Sequence, residues 1–220
     1  MNFLSQLFNI ILDFVFPRSC LGCRRTACFL CQSCISKIPI AEPAEEDFIV
    51  SVFDYDNKII KRAIWLLKYS GRHILAKELA RPLYEHVLAE LEERRTFENF
   101  KNPILAPIPL SSKRLRERGY NQSELLVKEL ARIDGGRNFD VCFSALKKVR
   151  ETPPQARIKN RSERLKNLKG CFAVRNKERV LGRNIVLVDD ISTTGATLRE
   201  ARRTLKSAGA KKVIAITLAH

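Results

Sequence analysis

Two hydrophobic periods alternate along this chain, and their order predicts the architecture before any residue has a role. FIVSVFDYD, from Phe48, reads as a strand, as do Ile104 to Ile108 and the run Ile185, Val186, Leu187 and Val188. A short run that is apolar at every position is the kind buried on both faces of a parallel sheet. Between these runs the spacing becomes helical. NKIIKRAIWLLKYSG shows it, a second long helix is expected from His73 to Arg95, and another begins near Asn121. In ATLREARRTLKSAG, Leu198, Ala201, Leu205 and Ala208 share one face, and Gly209 supplies the stop. Strands alternating with helices predict an α/β fold, a parallel sheet flanked by helices.

The pattern also marks what lies outside that sheet. In MNFLSQLFNIILDFVF, Phe3, Leu4, Leu7, Phe8, Ile11 and Phe14 or Val15 recur at helical spacing, which predicts an amphipathic docking helix. An interfacial membrane helix is the weaker reading, because the segment has no Lys or Arg to meet anionic lipid. A secretory signal is excluded by the missing positive start, by Asp13, and by Pro17 and cysteines where a cleavage site belongs. No stretch has about 18 uninterrupted apolar residues, so no transmembrane helix is expected and the cytoplasm is the expected compartment. AEPAEED reads as an acidic linker. The predicted organisation is a helix and cysteine module over 1–40, a linker over 41–47, and one larger domain over 48–220. Within that domain, ETPPQARIKNRSERLKNLKGCF has a Pro pair and few apolar residues, the composition of either a flexible linker or a flap that turns helical near Ser162.

Composition narrows the partners. The chain has 220 residues, 45% of them hydrophobic, enough for one well-sized domain and a small accessory module. Forty basic against 24 acidic residues give a net charge of +16, which predicts attraction to phosphates, nucleic acid or an anionic surface. A solvated basic face explains charge alone equally well. Tyr120, Phe143 and Phe172 have rings that could stack on bases, although core packing is the expectation for the two phenylalanines.

The sharpest chemistry lies in IVLVDDISTTGAT, residues 185–197. Asp189 and Asp190 emerge where a buried strand ends, and ligands of open α/β sheets sit beyond the carboxyl ends of strands. Ser192, Thr193, Thr194 and Thr197 offer hydroxyls, Gly195 permits a close turn, and Ala196 opens the helix whose free N–H groups favour a phosphate. Two carboxylates beside a phosphate nest suit ribose hydroxyls, alone or with Mg²⁺. Neither a P-loop nor a dinucleotide fingerprint is present, since Gly-Lys-Ser/Thr and G-x-G-x-x-G are both missing. The stretch closely resembles the 5-phosphoribosyl-1-diphosphate (PRPP) motif of type I phosphoribosyltransferases.

Five cysteines crowd into CLGCRRTACFLCQSC. Cys20 with Cys23, and Cys31 with Cys34, form two C-x-x-C knuckles that together complete a four-sulfur Zn²⁺ site. Cys28 with Cys31 is also a C-x-x-C pair; the choice of Cys31 with Cys34 follows its match to the first knuckle and leaves Cys28 as a spare thiol. A disulfide framework is disfavoured by the odd cysteine count and the missing secretory signal. An iron–sulfur cluster would be an unusual use of so tight a spacing. Cys142 and Cys171 lie in apolar settings and read as core.

PILAPIPLSSKRLRERGYNQSELL is the second informative region. A strand is expected to run into a loop bearing Ser111, Ser112, Lys113, Arg114, Arg116 and Arg118, with Gly119 as a turn. Clustered cations and hydroxyls after a strand suit a pyrophosphate, and an exposed basic loop is the plain alternative. Lys68 could face a substrate, but its place near a helix stop reads more simply as a solvated lysine.

Five fragments in one order are together similar to the ComF family: ILDFVFPRSCLGC with the second cysteine pair, LLKYSGRHILA, PIPLSSKRLRERGYNQSELL, TPPQARIKNRSERLKNLKGCF and IVLVDDISTTGATL. The resemblance implies a small zinc finger ahead of a type I phosphoribosyltransferase fold, and a role in DNA uptake during natural transformation. It implies that Asp189 and Asp190 hold ribose hydroxyls with Mg²⁺, that Thr193 to Thr197 hold the 5-phosphate, and that Arg114 and Arg118 lie near the pyrophosphate. Purine-salvage relatives carry an acidic residue directly before the Thr-Gly pair, where Thr193 stands here, so a purine acceptor loses support. The expected partners are PRPP, single-stranded DNA and other DNA-uptake proteins. Transfer of phosphoribosyl to a nitrogen nucleophile, and non-catalytic DNA binding on the same fold, both stand as expectations.

Overall fold

A computed structural model describes residues 18–152 and 167–220. The docking helix expected from Phe3 to Val15 and most of the expected flap lie outside the described residues. The first described elements are a short helix α1 (Gln32–Ile35), strand β1 (Ile49–Phe53), and helices α2 (Lys58–Tyr69) and α3 (Ile74–Glu98). Strand β2 (Ile104–Pro107), helices α4 (Ser112–Arg118) and α5 (Gln122–Asp134), and strand β3 (Asp140–Val141) follow. Strands β4 (Leu146–Lys148) and β5 (Phe172–Val174) form a separate antiparallel pair. Helix α6 (Lys177–Val180), strand β6 (Asn184–Ile191), helix α7 (Ala196–Ser207) and strand β7 (Lys212–Ala219) complete the chain.

The main sheet is parallel, in the order β1-β7-β6-β2-β3. Ile185 to Val188 of β6 are all fully buried, as an uninterrupted apolar run predicts. Their side chains still alternate between two cores. Ile185 and Leu187 pack with Leu198, Ala201 and Leu205 of α7 on one face. Val186 and Val188 join Ile64 and Leu67 of α2, Leu79 of α3 and Leu126 of α5 on the other. After β2 the chain crosses one face to β3, and after β6 it crosses the opposite face to β7. The strand order therefore reverses between β2 and β6, and a crevice opens at their carboxyl ends.

Local chemistry sets the helix ends. Asn57, Ser111 and Asn121 cap α2, α4 and α5 by accepting backbone N–H groups, and Gly119 and Gly135 end α4 and α5 in the left-handed region. The segment expected as a basic loop after β2 is thus helical from Ser112 to Arg118. Ser111 before it and Gly119 after it are a matched start and stop, and seven residues between them are enough for two turns.

The cysteine segment shares the domain's core. Cys20, Leu30, Ile35 and Ile38 pack in the same cluster as Val52, Ile60, Leu75 and Leu79. Residues 39–41 run beside β1, with Asp54 N–H donating to the Pro39 carbonyl (3.0 Å) and Ala41 N–H to that of Val52 (3.2 Å). No described helix is long and apolar enough to cross a membrane.

Candidate functional site

Strand β6 outruns β2. Their last pairing is Pro107 with Val188, while β6 stays paired with β7 as far as Ile191. Asp189 and Asp190 therefore stand at the open crevice. The Ser123 hydroxyl, from the first turn of α5, donates to Asp189 Oδ1 (2.8 Å), and Asp190 N–H donates to the same oxygen (2.9 Å). Lys68 Nζ lies 3.0 Å from Asp190 Oδ2. That contact is an ion pair off the line of a hydrogen bond, so Oδ2 is shut from solvent without an aligned donor among the described residues. Burial first, and the neighbouring Asp190 charge second, push the Asp189 carboxyl up to about 7. Hydroxyl donors or a cation entering here would relieve that crowding.

Lys68 is a correction to the sequence reading, which favoured a solvated lysine. Its side chain is only 19% exposed and serves Asp190. It sits in the last turn of α2, where a cation also meets the negative end of the helix dipole. The Tyr120 hydroxyl donates to the Leu67 carbonyl and ties that helix end to the crevice.

Beyond β6 the chain turns sharply into α7. Ser192 N–H donates to the Ala219 carbonyl (3.0 Å), and His220 Nδ1 lies 2.9 Å from the Ser192 carbonyl oxygen. Ser192 is buried, and its hydroxyl has no partner among the described residues. Thr193 is exposed, Thr194 and Thr197 are half-buried, and Ala196 is buried. Gly195 holds φ at 66°, and a Cβ there would sit 2.8 Å from Ile49 Cδ1. Among the described residues no side chain caps α7, which leaves its first N–H groups directed at the loop. Hydroxyls and amides thus converge where the dipole favours an anion.

Arg114 and Arg118 project from α4 toward different neighbours. Arg118 stacks over the Tyr69 ring (5.0 Å to its centroid) at the end of α2, and Arg114 donates to the Thr152 carbonyl (3.4 Å). Lys148 of β4 is half-buried near Arg114, Glu151 and Asp189; burial foremost, with the Arg114 charge adding, lowers its ammonium pKa. Sequence reasoning missed Ser123 and Lys148, and no local signal distinguishes them. Phe172 is buried as expected, whereas Phe143 is 43% exposed with Lys128 Nζ 5.8 Å from its ring centroid.

A second centre lies in the cysteine segment. The Sγ atoms of Cys20, Cys23, Cys31 and Cys34 all fall within 4.8 Å of one another, and Cys31 is 3.7 Å from both Cys20 and Cys23. Four sulfurs around a metal at about 2.3 Å define a tetrahedron with edges of about 3.8 Å, so the cluster could hold such an ion. Burial opposes ionisation of Cys20, but the N–H groups of Cys31, Cys23 and Gly22 bring it down to about 6. Cys34 is pushed up to about 12, chiefly by its hydrogen bond with Cys31. Thiols this close resist ionising together, and a cation removes the conflict. Gly22 is needed for the approach, because a Cβ there would meet Cys34 Sγ at 2.6 Å. Glu78 of α3 accepts the N–H groups of Phe29 (3.1 Å) and Leu30 (2.8 Å) and pins the second knuckle to the domain. Cys28 lies outside the group of four, and Cys142 and Cys171 are buried elsewhere.

Comparison with known proteins fits this geometry. The family described as phosphoribosyl transferase domain matches residues 76–220. DNA utilization protein YhgH of Salmonella typhimurium is 35% identical over 183 residues, 83% of this chain and 74% of that protein. Competence protein F of Haemophilus influenzae is 32% identical over 147 residues, 66% of this chain and 61% of that one. Competence protein ComFC of Bacillus subtilis is 38% identical over 119 residues, 54% and 45% respectively. The match thus spans less than two thirds of either competence protein.

Proposed function

The chain belongs to the ComF family of phosphoribosyltransferase-domain proteins, and from that premise we propose that it binds PRPP in the crevice between β2 and β6 and serves DNA uptake. The observation that carries the reading is the Asp189–Asp190 pair, one turn away from a buried hydroxyl and a helix N-terminus that have no partner or side-chain cap among the described residues. Asp189 and Asp190 accept the ribose hydroxyls, and Lys68 holds Asp190 in place. The amides and hydroxyls from Ser192 to Thr197 take the 5-phosphate. Arg114 and Arg118 face the pyrophosphate from α4. When bound, Mg²⁺ supplies charge neutralisation for the pyrophosphate as it leaves.

The reaction is displacement of pyrophosphate from C1 of PRPP by a nitrogen nucleophile, with catalysis by positioning and charge. Thr193, exposed where a purine-salvage enzyme carries an acid, argues against a purine acceptor. The cysteine cluster binds structural Zn²⁺ through Cys20, Cys23, Cys31 and Cys34. We assign residues 1–40 to this module, 41–47 to the connection and 48–220 to the PRPP-binding domain, in the cytoplasm beside other DNA-uptake proteins. Calorimetry with Mg-PRPP tests the site: wild type binds, and Asp190→Asn loses affinity and pyrophosphate release. Unchanged binding by a double Asp189/Asp190 variant sinks the assignment.

One surface favours a second, non-catalytic reading. Trp65 and Tyr69 of α2 are 47% and 64% exposed, with their rings 6.0 Å apart. Arg62 lies over Trp65 (4.7 Å) and Arg118 over Tyr69 (5.0 Å), and neither guanidinium pairs with a carboxylate among the described residues. Alternating aromatic rings and cations suit single-stranded DNA, whose bases stack and whose phosphates pair. Affinity for a short single strand is expected to fall steeply with salt and to drop in Trp65→Ala/Tyr69→Ala. Binding indifferent to both changes rules this face out.

A further inference from the structure

Arg199, one turn into α7, bridges two segments that are far apart in the chain. Its Nη2 donates to the Thr194 carbonyl (2.7 Å), and its Nη1 pairs with the carboxylate of Glu46, 153 residues away. Both side chains are largely covered, 22% and 31% exposed. Glu46 is itself anchored: Ile49 N–H donates to its carbonyl (2.8 Å), and Arg94 Nη2 donates to the carbonyl of Asp47 (2.8 Å). Ile49, at the start of β1, fills the space that a side chain at Gly195 would need. The stretch from Glu46 to Ile49 is therefore the outer wall of the turn between Thr194 and Gly195.

A trans peptide points its carbonyl and its N–H in opposite directions. The bond between Thr194 and Gly195 is trans. Holding the Thr194 oxygen outward on Arg199 therefore turns the Gly195 N–H inward, to the side where the free amides of α7 converge. A guanidinium can do both jobs at once, because its fork offers one nitrogen to each partner. Glu46 sets the fork's angle, and it belongs to the segment that joins the cysteine module to the sheet.

We propose that Glu46 and Arg199 are positioning residues for the 5-phosphate half of the site, fixing the Thr194–Gly195 peptide in the orientation that receives a phosphate. This rests on the reading of residues 192–197 as a PRPP loop. Neither residue touches the ligand.

The test compares three ligands by calorimetry on the full chain: Mg-PRPP, ribose 5-phosphate and inorganic pyrophosphate. Arg199→Lys keeps the charge and loses the fork; it is expected to weaken Mg-PRPP and ribose 5-phosphate at least tenfold and to leave pyrophosphate within about twofold. Glu46→Gln shows the same selectivity with a smaller loss. The exchanged pair Glu46→Arg/Arg199→Glu restores the ion pair and leaves the Thr194 carbonyl without its donor, so phosphate affinity stays low while the melting temperature recovers. Equal weakening of all three ligands, or affinity that simply follows the melting temperature, overturns the proposal in favour of a structural ion pair. Wild-type affinity in Arg199→Lys and in the exchanged pair overturns it outright. A wild-type chain that binds neither Mg-PRPP nor ribose 5-phosphate overturns the underlying site as well.

Discussion

Asp189 and Asp190 are settled by neighbours from different helices, and the two settlements differ in kind. Lys68 brings a full charge to Asp190, whereas Ser123 brings Asp189 only a hydroxyl. Burial and then the neighbouring Asp190 charge, only partly offset by the Ser123 hydroxyl, let Asp189 keep a proton in the folded protein up to about pH 7, where an unfolded chain releases it near pH 4. Between those values the folded state binds the extra proton, so this residue's contribution to stability falls as pH rises, and its cost is complete above pH 7. Asp189→Asn removes that cost and keeps an oxygen for the Ser123 hydroxyl. Its melting temperature without ligand is expected to pull ahead of wild type progressively from pH 5 to pH 8, while Mg-PRPP binding is lost. A gap that stays constant across that range contradicts the assignment.

Helix α4 shows how an element redistributes residues that look equivalent in sequence. Read as a loop, its cations form one undirected cluster. As a helix with a Ser111 cap and a Gly119 stop, it sends Arg118 to the end of α2 and Arg114 to the strand β4 side. The knuckle around Gly22 works by the reverse device, a close approach that only a missing side chain allows. Gly22→Ala places a carbon 2.6 Å from Cys34 Sγ, so this sulfur must move out of the tetrahedron. At least a tenfold weaker Zn²⁺ affinity is expected in competition with a chromophoric chelator. Full affinity in that variant means Cys34 is not a ligand.

At the scale of the molecule, the cysteine segment and the sheet share one core, through Leu30, Ile35 and Ile38 on one side and Val52, Ile60 and Leu75 on the other. Glu78 adds a half-buried bridge from α3 to the second knuckle. Loss of a metal held by the four cysteines is therefore expected to reach the whole domain. Chelation is expected to lower a single cooperative transition, read equally by Trp65 fluorescence and far-ultraviolet circular dichroism. A shift of about 10 °C corresponds to roughly 3–5 kcal/mol for a chain of this size. Two separated transitions, with the later one unmoved by chelator, refute the shared core as the coupling.

Strands β1, β2 and β6, helices α2, α3, α5 and α7, the four grouped cysteines and the turn after Asp190 were legible in the linear chain, whereas helix α4 and strands β3, β4, β5 and β7 were not. Each legible feature is written in local chemistry: a hydrophobic period, a ligand spacing, a glycine at a turn. Helix caps such as Asn57 and Asn121 act within three residues and are legible for the same reason. Lys68, Ser123, Glu46 and Arg199 were not. A lysine near a helix stop has the same local signature whether it meets water or a buried aspartate. Only the sheet order β1-β7-β6-β2-β3, with crossovers on opposite faces, brings Ser123 across 66 residues and Lys68 across the crevice to the end of β6. The sequence by itself determined which groups are candidates to bind a sugar phosphate and a metal. Tertiary structure decided which charges flank them, because pairing between distant segments depends on packing that no local period encodes.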